Sequence, residues 1–279
     1  MGAIRVVTDS AGDLPPRLVE EHGIGIVPLD VRLGDWGPEE LRLIEPAEFW
    51  RRCATTSALP ETSAPSPGAF VESFAKAADD GCDGVVCLTL SSALSATYQA
   101  ARAGADEVRE RIDVRVVDTR FVTLGEGMIV LEAAQIAAAT NDLDATERAA
   151  REMIPKVRVL GALDTMENLR RGGRVGSAKA LLGSLLSIKP IIEIRDGVVE
   201  AESRQRTRAR SLEYLATKVK EAGPLKGLAV AHAAAPDLDA FLGMIGGSFP
   251  PEDVLISFIG PVIGTHAGPG CIGVCYRLA

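Results

Sequence analysis

Short β-branched runs alternate with stretches of helical periodicity along the first half of this chain, and that alternation constrains its fold more than any other feature. AIRVVTD (3–9), GVVCLTL (84–90) and DVRVVDT (113–119) read as strands. GAFVESFAKAADDG carries Phe70, Phe74 and Ala77 at helical spacing. Leu94, Tyr98, Ala101, Ala105, Val108 and Ile112 mark one face of a second, long helix, and Ala-rich helices follow over about 124–140 and 143–155. Strand, helix, strand in this order predicts a parallel sheet covered on both faces. Smaller elements fit around it. Pro15 and Pro16 open a short helix stopped by Gly23, Pro28 breaks the strand-like IGIVPLDVRL, and Pro46 starts the helix EPAEFWRRCATT. LPETSAPSPG (59–68) holds three prolines and is expected to form no regular element.

The second half reads differently. VRVLGAL is a strand, and NLRRGGRVG is a glycine- and arginine-rich loop. SIKPIIEIRDGVVEAESRQ is a hairpin, because Asp196-Gly197 between two strand-like runs suits a type I′ turn. Leu212, Leu215 and Val219 mark a helix, KGLAVAH a strand, DLDAFLGMI a helix, and DVLISFIG and CIGVCYRL closing strands. A hairpin within an α/β pattern means a mixed sheet. The expected class is therefore α/β in two domains. Residues 1–156 form a largely parallel sheet flanked by helices, and residues 157–279 a mixed sheet with helices.

Several functional classes are excluded early. No run of 18 apolar residues exists, and MGAIRVVTDS reads as a strand rather than a signal peptide, so the expected location is the cytoplasm. Val6 stands where a myristoylation motif needs Ser or Thr. Five cysteines, none in CxxC spacing, read as reduced core residues and not as a zinc or redox motif. Residues 1–155 hold 14 Lys+Arg against 26 Asp+Glu, and residues 156–279 hold 16 against 12. The acidic total of −8 argues against nucleic acid, while the basic second half could face an anionic ligand or an acidic partner.

The chemistry-bearing residues fall at strand ends, where an open α/β sheet places ligands. They are Thr8-Asp9-Ser10, Thr62-Ser63, Ser91-Ser92 with Ser95, Asp118-Thr119 and Thr265-His266. Small hydroxyls and one imidazole suit a carboxylate, which offers only acceptors and is met by O–H and N–H donors. Ser91, Ser92 and Ser95 are expected to precede and open the long helix, where helix capping would use the same residues. His266 lies in IGTHAGPG, read as a loop too rich in glycine to pack as core, whereas His22 and His232 read as structural or solvated.

Other readings compete. Gly268-Pro269-Gly270-Cys271-Ile272-Gly273 spells GxGxxG, but a strand follows it and the chain ends at Ala279, so no dinucleotide site is expected. No phosphate-binding GxxxxGK[ST] loop is present. Ser92, His266 and Asp118 can be written as a nucleophilic triad for a serine-type acyl hydrolase, although no GxSxG elbow accompanies them. Three scattered histidines make a poor metal site. Arg170, Arg171 and Arg174, and the alternating Arg204, Arg206, Arg208 and Arg210, could form a docking surface, the latter sharing one side if extended.

VVTDSAGDLP, TSAPSPGAF, LTLSSALSATYQAA, the DT of VVDT, LRRGGRVG, SIKPII and GPVIGTHAGPGCIGV, in this order and over nearly the whole chain, resemble the DegV family. The resemblance implies a two-domain DegV-like fold that holds a long-chain fatty acid in an apolar tunnel. It implies a carboxylate held by Thr62, Ser63, Ser91, Ser92, Ser95 and His266, with the serine in direct contact left open. It further implies a carrier without chemistry of its own, which presents the carboxylate to a separate ATP-dependent fatty acid kinase for acyl-phosphate formation. Arg174 and Arg206 would help dock that kinase. No cofactor, metal, nucleic acid or stable membrane insertion is implied, beyond transient membrane contact for lipid exchange. The chain departs from the family pattern at Ala64, where a glutamine is usual, at Ala93 and Ala96, where glycines are usual, and in GDWGPEELRLIEPAEF after Leu33. These departures bear on pocket size and chain-length preference. With aromatic content of 4%, the tunnel is expected to be lined by aliphatic side chains.

Overall fold

The computed structural model describes residues 2–41, 44–181, 188–247 and 249–279. It divides into two compact α/β units, Met1–Asp30 with Thr62–Pro155, and Val31–Glu61 with Lys156–Ala279. Residues 31–61 and Lys156, placed in the first domain by the sequence reading, group with unit 2.

In chain order, unit 1 begins with β1 (Ile4–Asp9), α1 (Pro16–Glu21) and β2 (Gly25–Val27). Proline at the first position of α1 is preset for helix, and Gly23 follows in the left-handed region, where it ends the helix without strain. The strand-like run breaks at Pro28, and β3 (Asp30–Arg32) starts beyond it. Then come α2 (Pro38–Leu41), α3 (Pro46–Thr55) and β4 (Glu61–Ser63), with β3 and β4 paired as a two-stranded sheet. The proline-rich 59–68 stretch therefore does contain a strand, since Glu61–Ser63 falls between Pro60 and Pro65, neither of which has to donate within it.

Unit 1 continues with α4 (Pro67–Asp79), β5 (Gly84–Thr89), α5 (Thr97–Val108), β6 (Asp113–Asp118), α6 (Thr123–Thr140) and α7 (Leu143–Met153). Its sheet is parallel throughout, in the order β2-β1-β5-β6. Val85 and Cys87 share one face of β5 and pack with Phe70 and Phe74 of α4 and with Ala101 and Val108 of α5. Helices α6 and α7 cover the other face. Close approach of α4 and α5 depends on Gly104, where a Cβ would come 2.8 Å from that of Phe70. The long helix starts at Thr97, later than expected: Ser91 to Ala96 form turns, and Leu94 lies outside the helix.

Unit 2 continues with β7 (Val157–Ala162), α8 (Glu167–Arg171), β8 (Lys189–Arg195), β9 (Val198–Gln205), α9 (Arg208–Glu221), β10 (Leu225–His232), α10 (Leu238–Ile245), β11 (Leu255–Phe258), α11 (Pro261–Ala267) and β12 (Ile272–Leu278). The sheet order is β11-β10-β12-β7-β8-β9, with β10 and β11 parallel and the other neighbours antiparallel, a mixed sheet as expected. Asp196 and Gly197 both take positive φ, as a type I′ turn requires, and close the β8–β9 hairpin; Ser187, at the head of that expected hairpin, lies outside the described residues. Leu212, Leu215 and Val219 of α9 and Phe241 and Ile245 of α10 bury one face of the sheet against Leu160, Ile191, Val230, Ile272 and Val274. All five cysteines are free thiols, three of them buried. No described helix is long and apolar enough to cross a membrane.

Candidate functional site

The expected site residues divide between the units. In unit 1, Thr62 and Ser63 occupy the end of β4, half-buried and exposed respectively. Ser91, Ser92 and Ser95 follow the carboxyl end of β5 in a turn whose backbone closes on itself, with Leu94 and Ser95 N–H both donating to the Ser91 carbonyl. Because α5 begins only at Thr97, these serines do not supply the N–H groups of its first turn, which corrects the expectation that they open the helix.

Two carboxylates hold the serine turn. Asp118, at the end of β6, accepts the Ser92 N–H at 3.2 Å and the Arg120 N–H at 2.9 Å on one oxygen, and the Ser92 hydroxyl at 2.5 Å on the other. Asp9, at the end of β1 and almost fully buried, accepts from Ala11 N–H at 2.9 Å and from Leu90 N–H at 2.8 Å, one residue before Ser91. Burial raises the Asp9 carboxyl to about 7 despite those two donors. Ser91 is itself buried and its hydroxyl accepts the Ala93 N–H; the Ser95 and Thr97 hydroxyls lie 2.8 Å apart. The turn thus presents hydroxyl oxygens on a backbone fixed from two neighbouring strands.

In unit 2, His266 lies on the short helix α11 and not in a loop, which corrects the reading of IGTHAGPG. Pro261 starts the helix, Thr265 returns its hydroxyl to the Pro261 carbonyl at 2.8 Å, and Gly268 at φ +78° ends it. The glycine at 264 is required by packing, since a Cβ there would lie 2.5 Å from the Trp50 ring. Trp50 donates its Nε1–H to the Ile259 carbonyl at 3.0 Å, beside the start of α11. Asn168 of α8 donates to the Thr265 carbonyl at 3.1 Å, so α8 and α11 are tied together.

That tie brings the arginine-rich segment to His266. A Cβ at Gly172 would fall 2.2 Å from His266 Nδ1, and the Arg174 guanidinium, bonded to the Gly172 carbonyl at 2.7 Å, acts on the same imidazole. Burial, with help from Arg174, lowers His266 to about 4, so the ring is neutral at pH 7. A neutral imidazole beside a guanidinium is a donor set for an anion.

The other arginines separate. Strand β9 ends at Gln205 and Thr207 caps α9, so Arg204, Arg206, Arg208 and Arg210 do not share one extended side. Arg208 instead pairs with Asp237 through two bonds of 2.8 and 2.9 Å, Arg210 pairs with Glu213, and Arg170 and Arg171 pair with Glu167, while Arg206 is exposed. NLRRGGRVG is partly helical, because Glu167, Arg170 and Arg171 are spaced to pair along one turn of α8. His232 is buried with its ring 4.3 Å from that of Phe258, a packed residue as read. No group of three or more metal-ligating side chains occurs among the described residues. Sequence reading places Asp9 among the strand-end residues but gives it no anchoring role, and it misses Trp50 as a buttress and Glu126 as a buried acid. Only Glu126 left a signal, as an acid inside the apolar LGEGMIVL run.

The family model described as "Uncharacterised protein, DegV family" matches residues 3–278. A DegV domain-containing protein of Streptomyces coelicolor is 38% identical over 281 residues, 97% of each chain. Among solved structures, a fatty-acid-binding DegV family protein from Thermus thermophilus is similar with a TM-score of 0.87 and 32% identity, over 99% of this chain and 100% of that one. DegV, a fatty acid binding protein from Bacillus subtilis, is similar with a TM-score of 0.87 and 30% identity, over 100% of both chains. A match of this extent in sequence and in fold makes the conclusion direct: the chain belongs to the DegV family.

Proposed function

We propose that this protein binds a long-chain fatty acid in an apolar tunnel and presents its carboxylate to a separate ATP-dependent fatty acid kinase, which forms the acyl phosphate. Thr62, Ser63, Ser91, Ser92, Ser95 and His266 hold the carboxylate, and Arg174 and Arg206 help dock the kinase. The observation that carries the reading is the neutral His266 ring set beside Arg174, in a chain whose relatives from Thermus thermophilus and Bacillus subtilis bind fatty acids. An uncharged imidazole can offer one N–H to a carboxylate while Arg174 supplies the positive charge. The acyl chain provides the affinity, at about 0.8 kcal/mol for each buried methylene, or on the order of 10 kcal/mol for a long chain before ordering costs. The protein acts as a carrier in the cytoplasm and meets the membrane only transiently to exchange lipid.

Native mass spectrometry of the purified protein, followed by lipid extraction, tests the ligand. The expected result is one fatty acid per chain, and a protein that remains empty when offered long-chain acids ends the reading. With ATP and a fatty acid kinase added, acyl phosphate should form, and Arg206→Glu should slow its formation while leaving the bound lipid unchanged.

The acyl-hydrolase alternative gains nothing from the geometry of unit 1. A triad passes the serine proton to an imidazole that a carboxylate orients, whereas here the Ser92 hydroxyl donates its hydrogen bond to Asp118 directly. Ester hydrolysis by the purified protein, lost in Ser92→Ala, would favour it.

A further inference from the structure

Glu126 is the most buried acid that the proposed binding reaction does not use. It is fully inaccessible, in the first turn of α6, and it lies over the end of β1 and the tight turn at Ser10–Gly12. One carboxyl oxygen accepts the Thr8 hydroxyl at 3.0 Å, and the other is buried without a hydrogen-bond partner. Helix α6 approaches the turn closely beside it. A Cβ on Gly12 would come 3.6 Å from the Glu126 carboxyl carbon, and one on Gly127 would come 2.6 Å from the Gly12 carbonyl.

The groups that face Glu126 are acids. They are Asp9 from β1, Asp13 from the turn after it, and Asp118 from β6; the Cys87 thiol of β5 is subject to both Asp9 and Glu126. Burial raises the Glu126 carboxyl well above its ordinary value and the three aspartates raise it further, with the Thr8 hydroxyl only partly opposing them. Asp9 has N–H donors on both oxygens and is the better placed of the two to carry charge. Glu126, with a single donor, is the better placed to stay protonated.

We propose that Glu126 is a positioning residue for the Ser91–Ser92 turn: it holds a proton in the dry space between α6 and β1, and loss of that proton to solvent loosens the turn and releases the ligand. The route is short. An ionised Glu126 beside Asp9 puts two anions in a space closed to bulk solvent, and α6 must part from the Ser10–Gly12 turn to hydrate them. Asp9 caps that same turn through Ala11 and also holds the Leu90 N–H, so Leu90, Ser91 and Ser92 move with it. The proposal rests on the reading that this turn holds the fatty-acid carboxylate.

The test is the dissociation constant of a fluorescent long-chain fatty acid between pH 6 and pH 9, for the wild type and for Glu126→Gln, which keeps the shape and removes the titration. His266 titrates below this range, whereas Asp9, raised to about 7, titrates within it in both proteins, so the reading is the difference between the two curves. Across it wild-type affinity should fall at least about threefold further than that of the variant, one pH unit being worth at most a factor of ten. If the variant follows the wild-type curve, the proposal is overturned. Hydrogen exchange at the Leu90 amide of the wild type, corrected for intrinsic base catalysis, should lose protection over the same range, and constant protection also overturns it whether or not the variant folds. Absence of fatty acid from both proteins at pH 6 would instead strike the carrier reading, with Leu90 exchange still reporting on the proton.

Discussion

The Ser92 hydroxyl donates to Asp118 at 2.5 Å, and the Ser92 N–H donates to the other oxygen of the same carboxylate. Ser92 is thereby fixed in orientation within the turn before any ligand arrives. Asp118 also takes the Arg120 N–H, at a residue with φ of +62°, so one side chain stabilises both the serine turn and a strained backbone position.

Removing that carboxylate should loosen the turn. Asp118→Ala leaves three donors without their acceptor and is expected to cost about 1–3 kcal/mol of stability. Asp118→Asn keeps one carbonyl oxygen and should cost less. Fatty-acid affinity should fall in the same order. Equal affinity in the alanine variant and the wild type, measured by titration calorimetry, would show that the turn does not hold the carboxylate.

Gly172 offers a probe of His266 that leaves the imidazole chemistry intact. A methyl group there would overlap Nδ1 and come 3.2 Å from the Asn168 carbonyl, so the half-buried ring has to shift. Gly172→Ala should therefore cost about 1–3 kcal/mol of stability. It should nevertheless reproduce most of the loss of acyl-phosphate formation expected of His266→Ala. A variant that binds and presents lipid normally would place the ligand away from this ring.

His266 should titrate near pH 4 in the ligand-free protein, against an ordinary value of 6.5. The depressed value means that the folded protein favours the neutral ring. This contribution to stability is complete above about pH 6.5 and is lost as pH falls through about 4. A bound carboxylate favours the protonated ring and should move the titration upward, so binding takes up a proton in mildly acidic solution. The ring resonances followed by NMR, with and without fatty acid, measure both values. An unmoved titration would remove His266 from the carboxylate.

Much of this architecture was legible because periodicity reports burial. Phe70, Phe74 and Ala77 predicted α4, and the runs around Val85, Val116 and Val159 predicted strands that pair as expected. Asp196-Gly197 named its turn because few residues tolerate positive φ in succession. The misreadings came from tertiary contacts that leave no local trace. IGTHAGPG was read as a loop because its glycines were counted as backbone freedom, whereas Gly264 is a glycine to admit the Trp50 ring in a helix. Arg208 was grouped with a docking stripe because Asp237, its partner, is far along the chain. The serines after β5 were assigned to a helix start because Ser and Ala carry little pattern either way, and only the Asp9 and Asp118 contacts show a held turn. The acid Glu126 was passed over within an apolar helix, although an ionisable group there is costly enough to need a reason.

The Trp50–Gly264 contact separates packing from recognition. Gly264→Ala places a methyl within 2.5 Å of the Trp50 ring and 3.5 Å of Phe49, both large and buried, so α11 has to shift. Overpacking of this kind is expected to cost about 1–3 kcal/mol, with lipid affinity reduced because His266 rides on the displaced helix. Trp50→Leu alone should also destabilise, since it opens a cavity and leaves the Ile259 carbonyl without the indole N–H. The two changes together should cost less than their sum, by about 0.5–3 kcal/mol, because the smaller leucine makes room for the new methyl. Denaturant unfolding of the four proteins supplies that coupling energy. Simple additivity would mean that the ring and the glycine do not compete for the same space, and that the place of α11 is set elsewhere.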